Sequence, residues 1–413
     1  MIIKNSPDTS LTKGFYSQLK SNFVDYVFFS KFGQRMNIKE YKSGAFTKQY
    51  GYKSFSPNPI NREWGINNPE LNTLLEEANL RLGELNAFST FVPDVDVFIR
   101  MHIVKEATQS SRIEGTRTRM DEAILEAKDI SPELKDDWQE VQNYIEAMNN
   151  SIKNLEKLPL SSRLIKEAHK ILLKGVRGKN KLPGEFRTSQ NWIGGATIND
   201  AVFIPPHHTL VPDCISDLEK FLNNEDIQVP HLIRIGIAHY QFEAIHPFLD
   251  GNGRIGRLLI TLYLINQKIL NKPTLYLSDF IEKNRQHYYD NLMAVSISSK
   301  MEQWLKFFLV GIIETAKNAI DTLTKIIALR DKLEKDSIIS LGKRLPNAKA
   351  LLTYLYSKPV VTVSDVMTNL DVTKQTANTL IKDFYNLGIL KEQTGYKRNR
   401  VFVFEKYLRL FER

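Results

Sequence analysis

Residues 246–257 constrain this chain more than any other stretch. His246, Pro247, Phe248, Leu249, Asp250, Gly251, Asn252, Gly253, Arg254, Ile255, Gly256 and Arg257 make a glycine-rich turn between two apolar segments. Two glycines around a small polar residue let the backbone adopt positive φ and turn its N–H groups towards one point. Beyond the turn, Ile255, Leu258, Leu259, Leu262 and Ile265 recur at helical spacing, so a helix begins at the loop. The preceding stretch 232–242 is too long for one strand and is better read as a buried helix. Residues 251–256 are a literal G-x-G-x-x-G, but the dinucleotide reading of that pattern needs a strand immediately before it. It fails on context.

A loop at a helix N-terminus favours an anion through free N–H groups and the helix dipole. Arg254 and Arg257, three residues apart, can address the same anion. Without an anion, two cations in a first helical turn would oppose the dipole. Asp250 offers a hard oxygen suited to Mg²⁺, and could also cap the helix. His246 is a group able to take a proton near neutral pH. Anion nest, metal ligand, two arginines and a base together describe phosphoryl or nucleotidyl transfer.

The whole of 246–257 matches the motif of the Fic family at every defining position, and the chain resembles that family over roughly residues 68–330. The resemblance implies a mainly α fold, a Fic-type helical core with a β-hairpin flap, and protein adenylyltransferase activity with ATP and Mg²⁺. His246 would deprotonate a Ser, Thr or Tyr hydroxyl of a target protein, and Asp250 would hold Mg²⁺. The Gly251, Asn252, Gly253 backbone would cradle phosphates, with Ile255 and Gly256 completing the loop and Arg254 and Arg257 holding the distal phosphates. The flap is expected at 184–206, with Ala201, Val202 and Phe203 taking the target as an added strand. Tyr276 and Asn284 look like the family's adenine- and ribose-side residues. Ser110, Glu114 and Gly115 resemble the family's inhibitory signature, on a helix near 105–115. Ser110 and Glu114 are four apart, hence on one helix face, and Gly115 can end the helix in the left-handed conformation. In the family this glutamate pairs with the second motif arginine, here Arg257, and in some relatives it also supports removal of AMP. Transfer of UMP, phosphocholine or phosphate is the rival within the enzyme class.

Other residues carry plainer readings. His207 and His208 lie in a Pro-rich turn without Cys or carboxylate partners, Cys214 reads as a small buried side chain, and Tyr288 and Tyr289 as packing.

The pattern turns helical from Asn68, with Leu71, Leu74, Leu75, Ala78 and Leu82 at helical steps, and periodicity predicts further helices near 97–114, 132–157, 161–175, 213–223, 230–244, 252–268, 280–297 and 301–335. Three segments follow: strand and loop over 1–67, a catalytic body over 68–335, and a C-terminal winged helix-turn-helix over 341–413. Met36 could serve as a second start, making 1–35 an extension. Of the net +9, residues 341–413 carry 13 Lys/Arg against 6 Asp/Glu, and 1–67 carry 10 against 4. Any polyanion role therefore belongs to the ends, and DNA or protein contact through 341–413 is the second function class. There the second helix would present Lys374, Gln375, Thr376, Asn378 and Lys382, and the wing would carry Lys397, Arg398, Asn399 and Arg400. The single cysteine, the polar N-terminus and the absence of a long apolar run fit a cytoplasmic protein without a membrane span. The family resemblance implies a homo-oligomer.

Overall fold

The computed structural model describes residues 35–91, 95–393 and 400–411. Four short strands come first: β1 (Met36–Asn37), β2 (Gly44–Lys48), β3 (Lys53–Pro57) and β4 (Trp64–Gly65). β2 and β3 form an antiparallel hairpin with Phe46 opposite Phe55, and β1 runs parallel to β4. The helical body follows as α1 (Pro69–Phe91), α2 (Val95–Ile113), α3 (Met120–Ala123), α4 (Lys135–Asn154), α5 (Ser162–Leu172) and α6 (Val211–Asn223). It continues through α7 (His231–Ile245), α8 (Asn252–Asn266), α9 (Ser278–Lys283), α10 (Arg285–Ser298) and α11 (Met301–Lys332). Among the described residues, no helix is long and apolar enough to cross a membrane.

α7 is the centre of the body. Nearly all its residues are buried, including Arg234, His239 and Gln241, each of which finds a hydrogen-bond partner. α8 packs beside it, and α11 crosses it while running along α1. Trp304 of α11 donates its indole N–H to the Gly236 carbonyl at 2.8 Å, satisfying a polar atom that burial would otherwise strand.

Two expectations change. The helix expected over 280–297 breaks into α9 and α10 at Asn284, whose side-chain amide donates to the Phe280 carbonyl at 2.9 Å. Asparagine competes with helical geometry by such local bonds. The flap hairpin shrinks to one antiparallel bridge, Ile193 with Phe203. Gly194 and Gly195 take positive φ, and Asp200 gathers the N–H groups of Ala196 and Thr197, so a capped turn replaces a ladder. The flap is instead braced from outside: the Phe55 N–H donates to the Ile204 carbonyl at 2.8 Å, and Phe203 packs on Phe55 with centroids 5.6 Å apart.

The C-terminal elements are α12 (Leu345–Ser357), β5 (Val360–Thr362), α13 (Val363–Leu370), α14 (Lys374–Asn386), β6 (Lys391–Glu392), β7 (Val401–Val403) and α15 (Glu405–Leu408). β7 lies between β5 and β6, antiparallel to both. Thr362 and Thr373 cap α13 and α14 through their side chains. Lys397, Arg398 and Asn399 lie outside the described residues, as does all of the extension 1–35 but Arg35; Arg400 pairs with Glu392, and Met36 pairs with Trp64.

Candidate active site

His246 is the C-cap of α7, in the left-handed conformation with φ 49° and ψ 60°. A non-glycine residue there is uncommon and persists when its surroundings hold it. Here they do. The His246 carbonyl accepts from Arg187 Nε at 3.0 Å and from Asn191 Nδ2 at 3.2 Å. The Arg187 N–H donates to the Pro247 carbonyl at 2.8 Å. Asn252 closes the turn from the far side, accepting from the Phe248 N–H at 2.8 Å and donating to the Phe248 carbonyl at 2.9 Å. His169 stacks on Phe248 at 3.7 Å, accepts the Gly184 N–H on Nδ1, and so carries its proton on Nε2, towards the Asp250 carbonyl at 3.0 Å. Sequence reasoning missed Arg187, Asn191 and His169. Their partners are mostly backbone atoms of the loop, which no residue spacing announces.

The anion end starts at Gly251, the N-cap of α8, whose φ of 76° suits glycine. Against the first turn of α8 lies the Glu114 carboxylate. A Cβ on Gly253 would stand 2.3 Å from Glu114 Oε1, so only glycine admits the carboxylate there. Glu114 follows the end of α2, and Gly115 takes φ 101° as the chain turns away. Arg257 Nη2 donates to Glu114 Oε1 at 2.7 Å and to the Ser110 carbonyl at 2.9 Å, while Nε donates to Ser110 Oγ at 2.9 Å. The Arg257 side chain is 1% exposed. Burial pushes the Glu114 carboxyl up, but the Arg257 guanidinium outweighs it and holds the group below the usual range. Arg254 is also engaged, with Glu140 of α4 at 3.0 Å and Asp250 at 3.7 Å. Asp250 accepts the Gly251 N–H at 2.6 Å, one residue short of a helix cap, and its carboxylate remains partly exposed. Among the described residues, no group of three or more His, Cys, Asp or Glu gathers as a metal cluster.

His246, Gly253, Arg257 and Glu114 open onto one cavity of about 550 Å³. Its far wall is Tyr288, Tyr289, Leu292 and Met293 of α10, and its mouth is Trp192, Ile193, Val202 and Phe203 of the flap. Desolvation lowers the His246 pKa to about 4, so the imidazole is neutral at physiological pH. Its Nδ1 lies 3.4 Å from the Glu243 carbonyl. Glu243, one turn earlier on α7, is pushed up to about 8 by burial.

Several expected site residues sit elsewhere. Tyr276 and Asn284 line a separate cavity of about 220 Å³ with His102, Glu106 and Phe411. Asn284 bonds back to the Phe280 carbonyl of α9, and it is α10, after the break, that brings Tyr288 and Tyr289 to the His246 cavity. Those two tyrosines, read as packing, are cavity walls. Ile255 is buried in the core, and a Cβ on Gly256 would stand 2.1 Å from Glu243 Oε1, so both pack rather than face the nest. Asn252 ties the loop to Phe248. Val202 of the flap is 69% exposed, whereas Phe203 is buried. His207 bonds Thr209 at 2.9 Å and stacks on His208, and Cys214 is half-buried with its thiol pushed up to about 11 by burial.

The buried histidines predict acid sensitivity. Desolvation depresses His102 and His239 to about 3 and His169 to about 4. Below pH 6.5 the unfolded chain binds protons that the folded one refuses, so stability falls as pH drops towards those values. Each histidine contributes up to about 1.4 kcal/mol per pH unit, and the buried carboxyls of Glu106 and Glu243, raised by desolvation, oppose part of that loss. Urea unfolding should lose stability as pH falls from 6.5 to 5, by about 1.4 kcal/mol per pH unit for each net proton that the folded state refuses. An unfolding midpoint unchanged between pH 6.5 and 5 contradicts buried neutral histidines.

The Fic/DOC family N-terminal model matches residues 72–153, and the Fic/DOC family model matches 159–264. Over those two stretches the chain is similar to the Fic/DOC family. Protein adenylyltransferase Fic of Culex quinquefasciatus is 32% identical over 125 residues, covering 30% of this chain and 22% of its own length. A probable protein adenylyltransferase of Aquifex aeolicus (strain VF5) is 31% identical over 163 residues, covering 38% and 45%. The chain thus spans less than half of these curated relatives. A Fic family protein from Desulfovibrio desulfuricans G20, 21% identical, superposes with a TM-score of 0.53 over 82% of this chain and 96% of its own. That likeness establishes a Fic fold.

Proposed function

We propose that this Fic domain transfers AMP from ATP to a Ser, Thr or Tyr hydroxyl of a target protein, and that Glu114 restrains it. The observation that carries this reading is the convergence of His246, the α8 N-terminus and Arg257 on one cavity. A carboxylate already rests against Gly253, the place an anion would take. Nδ1 of His246 faces the Glu243 carbonyl, leaving Nε2 to take the proton of the attacking hydroxyl. The hydroxyl oxygen bonds the α-phosphorus, the bond from that phosphorus to the bridging oxygen breaks, and pyrophosphate leaves beside Arg254 and Arg257. Asp250 would hold Mg²⁺, which lowers the charge of the phosphates. The α10 wall of Tyr289, Leu292 and Met293 would take the nucleoside. The exposed edge at Ala201 and Val202, with Phe203 as its buried anchor, would take the target as an extended strand.

ATP labelled on the α- or the γ-phosphate separates the chemistries. Incubation of the Glu114→Gly protein with cell lysate is expected to add α-label, and no γ-label, to protein beyond what lysate alone incorporates. Transfer of γ-label would replace this reading with phosphorylation.

A second reading concerns residues 341–413. The exposed residues of α14 include Lys374, Gln375, Asn378 and Lys382, and its one carboxylate, Asp383, is engaged by Arg344 at 2.8 Å. A basic, amide-bearing helix face favours DNA contact, which salt should weaken steeply.

A further inference from the structure

The helix that ends in Glu114 is gripped at both ends. At its C-terminal end, Ser110 and Glu114 hold Arg257. At its other end α2 packs on the C-terminal elements: Phe98 meets Tyr356 of α12 with centroids 5.1 Å apart, and His102 meets Phe411 at 5.1 Å. Tyr407 joins these contacts, 5.0 Å from Tyr356 and 5.2 Å from Phe411. Just beyond the inhibitory turn, Glu126 lies 3.4 Å from Lys358. Phe98, His102, Glu106, Ser110 and Glu114 follow one another at four-residue steps, a single ridge winding along α2 from the C-terminal elements to the active site.

Between these two grips the packing is incomplete. The cavity of about 220 Å³ lies beside the middle of α2, lined by His102, Glu106, Gln109 and Tyr276, and closed by Leu410 and Phe411. His102 Nε2, Gln109 Oε1 and Tyr276 Oη are buried there without hydrogen-bond partners. A helix that lines a cavity on one side gives up fewer contacts when it shifts than one packed all round. From Phe98 to Glu114 the helix spans about 24 Å as a stiff rod, so a shift at one end reaches the other.

We propose that the C-terminal elements α12 to α15 are a second clamp on α2, and that their seat sets how firmly Glu114 holds Arg257. The proposal rests on the reading of Glu114 as inhibitory. A partner that draws these elements off α2 therefore loosens the inhibitory contact, and does so without touching the catalytic loop.

The test is a mutant cycle on the full chain, scored by the initial rate of AMP transfer. Phe411→Ala is expected to raise that rate about fivefold or more when Glu114 is present. In the Glu114→Gly background the same change should alter it less than about twofold, because the contact it acts through is gone. Amide exchange around Ser110 and Glu114 should quicken in Phe411→Ala. No rise with Glu114 present, or an equal rise in both backgrounds, overturns the clamp. Should Phe411→Ala fail to give a cooperative melt, Glu126→Lys carries the same test from an exposed pair, with a smaller rise expected. If Glu114→Gly itself raises nothing, it is the inhibitory reading that falls.

Discussion

Replacing Glu114 by glycine should raise AMP transfer by about 5- to 150-fold, the range spanned by coupling energies of about 1–3 kcal/mol. The carboxylate now ties Arg257 and crowds Gly253. A terminal phosphate can meet neither while it stays. Removing it leaves a buried guanidinium with Ser110 as its remaining partner of that set, so the unliganded variant should also lose about 1–3 kcal/mol of stability. ATP should restore that loss, because a ligand that supplies the missing anion stabilises the folded state by its own binding. The two measurements are a labelled-ATP assay and melting with and without ATP. A gain in activity with no loss of apo stability would mean that the glutamate blocks by position alone.

Adding His246→Ala to that variant should then lower the rate about 10²- to 10⁴-fold, the ordinary contribution of a positioned base. ATP affinity should stay within a few fold, since the imidazole addresses the hydroxyl and not the phosphates. With its pKa near 4, His246 is neutral from about pH 5 upward and needs no deprotonation to act. The base alone therefore gives a flat profile between pH 6 and 8. A rate limb at pH 6 to 7 that vanishes with His246 would show an ordinary, solvated imidazole instead.

The helices were legible because burial imposes a period on sequence. Leu71, Leu74, Leu75, Ala78 and Leu82 had to line one face of α1, and the mostly apolar stretch at 232–242, too long for one strand, read as a buried helix. The loop at 246–257 was legible for a different reason: contiguous residues at a helix N-terminus carry their own geometry, so Gly251, Arg254 and Arg257 could be placed without knowing the rest. The flap was half legible. Its glycines and prolines marked a turn, yet one bridge replaced the hairpin, because Phe55 and Ile204 brace it from a strand far away in sequence.

The sequence by itself therefore determined the helical body, the anion loop at 246–257, and the pairing partner of Glu114 once the signature around it was recognised. Only the tertiary structure decided what surrounds them. Arg187 and Asn191 hold His246 through its carbonyl, Glu140 engages Arg254 from another helix, and Tyr288 and Tyr289 wall the cavity in place of Tyr276 and Asn284. Those contacts join residues far apart in the chain, mostly through backbone atoms, and a backbone atom leaves no mark on the sequence that supplies it.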